Sequence, residues 1–521
     1  MIRLTRIIEP AFLPLALAFL AASLLRELGL LHLPAGYGLL GYILPLLAVP
    51  GLSKTAGFAD GRPSMIAVLL FASLVFASGM RFLPLVHSPV PLGYDPGFYR
   101  YTLDLYFNAL PELPESGLAP WVRQMFEQGF FVLADVFRVL PGLDVVDYLN
   151  YVLPLFAGLL ALVVFVLTRS LFGPVTGAIA ALLYAVSYTQ YTAFTLFYLK
   201  NVIGLIFLLL AMYALEKKKD GLMALMFAAL GIFHRPEFLL FALILVPYFF
   251  FHRRRGMLLA ALGTGVLIAP FWIPRWDVYW GTIAAGIGSG TMFDFTTYTL
   301  TSMAYLPFAV IGFVYLVASQ RWNSVLFYFA ITCIIVVFQL FFFNRYIIML
   351  DLALIVLAAA GINHSLMSRR GIWKAAGAIA VALIFLVAAL PTITESRNIS
   401  PRIDAGQLQA LLWINENAER DAYVLATSRD APWALGWSGR RVIAPGLFEW
   451  SAHDKEAWFE FIESEDPALA REFLDVYPGP VYIYYSRNPG NFLPLEKFRA
   501  AGFQEVYPGE GAVVYRYQGG T

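Results

Sequence analysis

Charge is scarce in this chain. Only 14% of its 521 residues are Asp, Glu, Lys or Arg, against 60% hydrophobic, whereas a soluble domain carries about 25% charge and about 45–50% apolar residues. With a mean hydropathy of +0.69, a water-soluble enzyme of this length is excluded. Cysteine is nearly absent. The single one, Cys333, sits in an apolar run, which excludes an internal disulfide, a multi-cysteine zinc site and a cysteine-ligated iron–sulfur cluster. A long basic run is missing too, with 36 basic residues set against 35 acidic ones, so a nucleic-acid partner is disfavoured. The chain has no Walker loop, no Gly-x-Gly-x-x-Gly following a strand, no His-Glu-x-x-His and no cytoplasmic domain to hold a nucleotide, and an ATP-driven pump is disfavoured in turn. His32, His87, His234, His252, His364 and His453 are scattered and read as surface or loop residues before metal ligands. No internal repeat marks a secondary transporter.

What is abundant is aromatic and aliphatic: 44 Phe, 28 Tyr and 11 Trp are too many for a chain unable to bury a core. Up to about residue 390 apolar runs follow one another, each near the ~20 residues that cross a bilayer. Spans are expected at 7–24, 36–52, 64–84, 150–168, 174–189, 201–215, 221–234, 238–251, 257–273, 302–318, 323–343, 346–362 and 372–390. The first run follows Arg3 and Arg6 like a signal peptide, but no small-residue cleavage site stands out and it reads as a span. From about 395 the pattern changes to alternating strands at 422–426 and 481–485 and a helix Lys455–Glu463 charged on one face. The expected fold is therefore a polytopic α-helical membrane protein of about 13 transmembrane helices (1–394) followed by a soluble α/β domain (395–521).

Basic residues in the short loops set the orientation. Arg3, Arg6, Lys54, Arg62, Arg169, Lys217–Lys219, Arg253–Arg255, Arg321, Arg369, Arg370 and Lys374 fall in one set of alternate loops, read as cytoplasmic; Arg26, Lys200, Arg235, Arg275 and Arg345 fall in the other. The N-terminus is then cytoplasmic, and the long segment 85–149 and the C-terminal domain lie outside. Two aromatic-rich stretches, 98–110 and 121–140, occupy that segment. The second reads as an interfacial amphipathic helix, with an ordinary span as the alternative.

Ionisable groups at membrane depth are costly and become candidates by default. On the outer side these are Asp95 in Gly93-Tyr-Asp-Pro-Gly-Phe-Tyr-Arg100, Lys200, His234-Arg-Pro-Glu237, Arg275 with Asp277, Asp294 and Asn344-Arg-Tyr346. Asp95 alone is equally well a helix cap, and any one of the cations could snorkel to lipid phosphate. Four cations at the outer ends of four runs point instead to one bound phosphate.

These residues resemble the GT-C glycosyltransferases, polytopic enzymes that use polyprenyl-phosphate sugar donors. The likeness covers roughly 64–362. Gly93-Tyr-Asp95-Pro-Gly-Phe-Tyr-Arg100 is similar to the family's first-loop acidic motif, Thr168-Arg-Ser-Leu-Phe-Gly173 to its basic-Leu-Phe-Gly turn, Arg235-Pro236 to a middle-loop Arg-Pro, and Arg345-Tyr346 to a late Arg-Tyr. Lys200-Asn201 stands where the oligosaccharyltransferase branch has a second acidic pair, which disfavours a divalent metal. Ser428-Arg-Asp430-Ala-Pro432 keeps only the aspartate of that branch's Trp-Trp-Asp-Tyr-Gly block. The better match is the branch that takes one sugar from a polyprenyl monophosphate, as protein mannosyltransferases and aminoarabinose transferases do.

The resemblance implies transfer from a dolichyl or undecaprenyl phosphate sugar to a protein, lipid or glycan hydroxyl, with inversion and no cofactor. Asp95 would be the base. Arg345, then Lys200 and Arg235, would neutralise the departing phosphate, and Arg100 would either bind it or orient Asp95. Glu237 and Asp294 are possible second carboxylates. The outer domain holds 11 basic and 17 acidic residues over 400–521. Its Trp433, Trp437, Trp450 and Trp458 are available to stack on sugar rings or to pack a core. The alternatives are an oligosaccharyltransferase-like or ligase enzyme moving a larger glycan, and a non-enzymatic transporter or lipid-handling protein.

Overall fold

The computed structural model describes residues 61–519 except 89, 110–121, 123–125, 141, 278–297, 299–300, 303, 341–342, 368–371, 446–449 and 488–492. The expected spans 7–24 and 36–52, and Asp294, lie outside the described residues.

Seven helices among the described residues are long and apolar enough to cross a membrane: Pro63–Val86, Val145–Phe172, Leu199–Glu216, Arg235–His252, Arg255–Arg275, Phe343–Met367 and Gly377–Asn398. Lipid offers no partner to a bare peptide group, so long apolar runs close their hydrogen bonds internally as helices. Four further expected spans form shorter apolar helices, Pro174–Val186, Asp220–Phe233, Leu306–Ala318 and Ser324–Val337. At 13 or 14 residues each is roughly 20 Å long, short of the ~30 Å hydrocarbon layer. The shortening has local causes. The run from Pro174 stops at Ser187, whose hydroxyl accepts from Gln190 N at 3.3 Å and starts a separate helix, Tyr188–Thr195. Upstream, Gly173 takes φ 91, a conformation open to glycine, so that Val145–Phe172 can reverse directly into a helix beginning with Pro174. That reversal is the physical content of the Arg169-Ser-Leu-Phe-Gly173 motif.

The described chain packs as two compact units. One takes in the chain up to His87, Glu127–Phe130 and Tyr151–Ile399; the other takes in Ser88–Phe126, Phe131–Asn150 and the chain from Ser400. In the first, Phe343–Met367 is buried along its whole length, packed on Leu306–Ala318, Ser324–Val337 and Pro174–Val186. Pro63–Phe82 and Arg255–Trp272 instead turn apolar side chains outward, Phe71 69% and Val266 75% exposed, a surface that needs lipid. The basic loops of this unit meet at one end. Lys217 Nζ donates to Ser170 O at 3.3 Å, Arg254 to Leu215 O at 2.9 Å and to Asp220 Oδ1 at 2.5 Å, and Ser324 N to Glu216 Oε1 at 2.6 Å.

The second unit carries a five-stranded sheet of order β2-β1-β3-β5-β4, with β1 Tyr423–Leu425, β2 Arg441–Ile443, β3 Val481–Ser486, β4 Phe503–Pro508 and β5 Ala512–Tyr517. β1 runs parallel to β2 and β3, while β5 is antiparallel to β3 and β4. Helix Lys455–Glu463 lays Trp458 and Phe461 into a core shared with Phe473, Phe498 and Tyr515. Trp433, Trp437 and Trp458 are buried, so they pack and do not offer open rings. The segment 88–150 contributes Pro96–Ala109 and Gln128–Val139. The latter has 12 residues, about 18 Å of helix, too short for a span.

A candidate phosphate site and a buried carboxylate network

In the first unit the cations gather around a residue that drew no attention in the sequence. Glu127 is 3% exposed. Its Oε2 lies 3.3 Å from Lys200 Nζ and its Oε1 lies 3.2 Å from Arg235 Nε. Lys200 opens Leu199–Glu216, reached from Tyr188–Thr195 through Phe197 at φ 62. A left-handed non-glycine residue stores backbone strain; here it is buried and turns the chain so that Tyr198 and Lys200 follow at once. Arg235 opens Arg235–His252, with Pro236 fixing its first turn. Arg345 opens Phe343–Ile362; its guanidinium stands 5.5 Å from the centre of the Tyr198 ring, within electrostatic reach of Lys200. Tyr346 donates to Pro236 O at 3.4 Å and ties the two helix starts together.

Burial pushes the Glu127 carboxyl up, but Lys200, Arg235 and His234 together outweigh it and hold it down at about 2. Three cations around one carboxylate leave two positive charges in surplus. Glu237 stands beside this cluster with partners of its own: it is fully buried, faces His234 Nδ1, and accepts from Asn201 Nδ2 at 3.3 Å. Arg275 is buried in the turn Ile273–Arg275, while Asp277 is exposed.

A second polar network lies deeper in the same unit. Asp351, fully buried, accepts from Ser187 Oγ at 2.8 Å, from Gln190 Nε2 at 2.9 Å and from the Tyr305 hydroxyl. Arg81, also buried, donates to Gln190 O and Ala77 O, both at 2.8 Å, with Tyr184 and Tyr191 flanking its guanidinium.

Asp95 and Arg100 belong to the other unit. Asp95, half-buried, precedes Pro96–Ala109, and its carbonyl accepts from Tyr99 N at 3.2 Å. The preceding Tyr94 donates to Ser428 O, and its phenol is pushed up to about 12 by burial and by the Asp95 carboxylate. Arg100 pairs with Asp104 at 3.7 Å and lies over the Trp437 ring at 4.7 Å. Asp430 is buried and accepts from Ser486 Oγ at 2.6 Å and Thr427 Oγ1 at 3.1 Å, a structural post at the start of Ala431–Ser438. Among the described residues no three His, Cys, Asp or Glu side chains converge as a metal-holding group, so the described donor set does not fit a divalent ion.

No protein-family model and no curated protein matches the sequence. Solved structures do match. The oligosaccharyltransferase of Archaeoglobus fulgidus, tethered to an acceptor peptide containing an NVT sequon, aligns over 87% of this chain and 74% of its own with a TM-score of 0.63 at 13% identity. ArnT from Cupriavidus metallidurans, bound to undecaprenyl phosphate, aligns over 88% and 98% with a TM-score of 0.55 at 15% identity. The arabinofuranosyltransferase AftD from mycobacteria aligns over 89% and 42% with a TM-score of 0.53 at 15% identity. All three are GT-C glycosyltransferases. This chain has the GT-C fold. The fold is that of polytopic membrane proteins, in keeping with the apolar helices. Another structure of the Archaeoglobus GT-C enzyme contains zinc and sulfate.

Sequence reasoning named Lys200, Arg235 and Arg345, and the structure gathers them. It missed Glu127, Asp351 and Arg81. For the last two a signal was present, a charged residue inside an apolar run.

Proposed function

We propose that the protein is a membrane glycosyltransferase that moves one sugar from a dolichyl or undecaprenyl monophosphate to an acceptor hydroxyl of a protein, lipid or glycan on the outer face. In this reading the acceptor oxygen attacks the anomeric carbon as Asp95 takes its proton. The bond from that carbon to the phosphate oxygen breaks, its electron pair leaves with the prenyl phosphate, and configuration inverts. A phosphate needs no proton to depart, so fixed cations are the help the leaving group requires. The observation that carries the reading is the gathering of Lys200, Arg235 and Arg345 from three helix starts around Glu127. The GT-C neighbours support it, one bound to undecaprenyl phosphate and another to a dolichol-phosphate. The residues 1–394 then form a membrane domain of about 13 spans with a cytoplasmic N-terminus, and 395–521 an outer domain placed for acceptor recognition.

The test is Asp95→Asn in purified protein supplied with prenyl-phosphate sugars. Sugar transfer should fall by about 10²–10⁴-fold, the range for loss of a positioned base, with binding of undecaprenyl phosphate retained. Undiminished transfer removes Asp95 from the mechanism. Transfer of a larger glycan is the second reading, supported by the TM-score of the Archaeoglobus enzyme. Activity abolished by EDTA and restored by Mn²⁺ would favour it.

A further inference from the structure

The cation cluster contains a group that phosphate binding alone does not call for. A carboxylate held between Lys200 and Arg235 repels any anion brought to them, and Glu127 is buried and engaged by both. Its presence is a cost to donor binding unless the charge of the pocket matters in itself. We propose that Glu127 is a charge-setting residue that holds the pocket at a surplus of two positive charges, matched to a prenyl phosphate and not to a prenyl diphosphate. This rests on the monophosphate reading above.

The arithmetic follows the reaction. The bound donor is a phosphodiester with one negative charge. When the anomeric carbon–oxygen bond breaks, the prenyl phosphate keeps the electron pair and carries close to two. A surplus of two therefore becomes balanced only as the leaving group forms, so the stabilisation is greater after bond breaking than before it. Without Glu127 the surplus would be three. The pocket would then hold the product phosphate too tightly, and would gain most for a diphosphate head. Asp104 and Asp430 belong to the other unit, and Glu237 is engaged by His234 and Asn201. Among the described carboxylates of this unit, Glu127 is the one that bridges the cations.

The experiment measures binding of undecaprenyl phosphate, undecaprenyl diphosphate and uncharged undecaprenol to the full chain in detergent. Glu127→Gln should bind the phosphate about tenfold tighter than wild type, the effect of one unit charge several ångströms away through an effective dielectric between about 20 and 80. Its gain for the diphosphate should be larger still. Product inhibition should tighten in parallel. A purely structural Glu127 predicts weaker or unchanged binding of both lipids, and that result overturns the proposal. Should Glu127→Gln fail to fold, the pair Arg235→Gln and Arg235→Gln/Glu127→Gln decides. Adding Glu127→Gln to Arg235→Gln should restore the phosphate affinity that Arg235→Gln loses, and no recovery rejects the idea. If wild-type protein binds undecaprenyl phosphate no better than undecaprenol, the monophosphate reading itself fails and takes this inference with it. If wild type binds it and the variants do not tighten, only the role of Glu127 is lost.

Discussion

Two opposed influences meet at Glu127, burial raising its carboxyl and three neighbouring groups lowering it, and the outcome is a value of about 2 against an ordinary 4.5. A depressed carboxyl contributes stability above its unfolded value and loses it as pH falls through the folded one. The contribution, about 3 kcal/mol for a shift of this size, should be intact from pH 7 down to about 5 and disappear between about 4.5 and 2. Thermal unfolding of wild type and Glu127→Gln in detergent should therefore differ at pH 7 and converge toward pH 3. A constant gap across that range would refute the assignment. The residue shows why parts of the site were legible and parts were not. Lys200, Arg235 and Arg345 stand at the edges of apolar runs where a cation breaks the pattern. Glu127 lies between Phe126 and Gln128 in an irregular stretch, where a lone acidic residue has no periodicity to offend.

The helices themselves were readable wherever hydrophobicity alone decides, from Pro63–Val86 to Gly377–Asn398. Their lengths were less so, because breaks such as Ser187 come from capping and not from a fall in hydropathy. What fastens one element to another was least readable, since it is made by small groups far apart in sequence. Asp351 on Phe343–Ile362 holds Ser187, Gln190 and Tyr305 at once. Asp351→Leu would leave three buried donors without their acceptor and should lower stability by roughly 3–5 kcal/mol, read as a large drop in detergent melting temperature; Asp351→Asn should cost less. In the second unit Gly97 is a comparable junction. A Cβ there would drive into the carbonyl of Pro432, so Pro96–Ala109 can touch Ala431–Ser438 only through glycine. Gly97→Ala should cost about 1–3 kcal/mol, the usual penalty of overpacking. Faster limited proteolysis within 88–109 would be its signature, and an unchanged cleavage rate would count against this contact.

At the scale of the molecule, charge and hydrogen bonding give the same polarity to the first unit. The basic loops around Arg169, Lys217–Lys219, Arg253–Arg255 and Arg321 are stitched together by Lys217 to Ser170, Arg254 to Leu215 and Asp220, and Ser324 to Glu216. Lys200 stands at the start of Leu199–Glu216 and Lys217 just past its end, so about 27 Å of helix separates the Glu127 cluster from this basic face. Positive loops are retained in the cytoplasm, which places the cation cluster outside and, by the alternation of thirteen spans, the C-terminal residues outside as well. The sole cysteine makes this measurable. In a Cys333→Ala background, Lys217→Cys and Glu456→Cys, both at exposed positions, can be treated in intact cells with a membrane-impermeant maleimide. Glu456→Cys should label fully and Lys217→Cys only after the membrane is permeabilised. Labelling of both from outside would require an even number of spans between them and would put the phosphate cluster and the sheet-bearing unit on opposite sides, where an outer acceptor could not meet the donor.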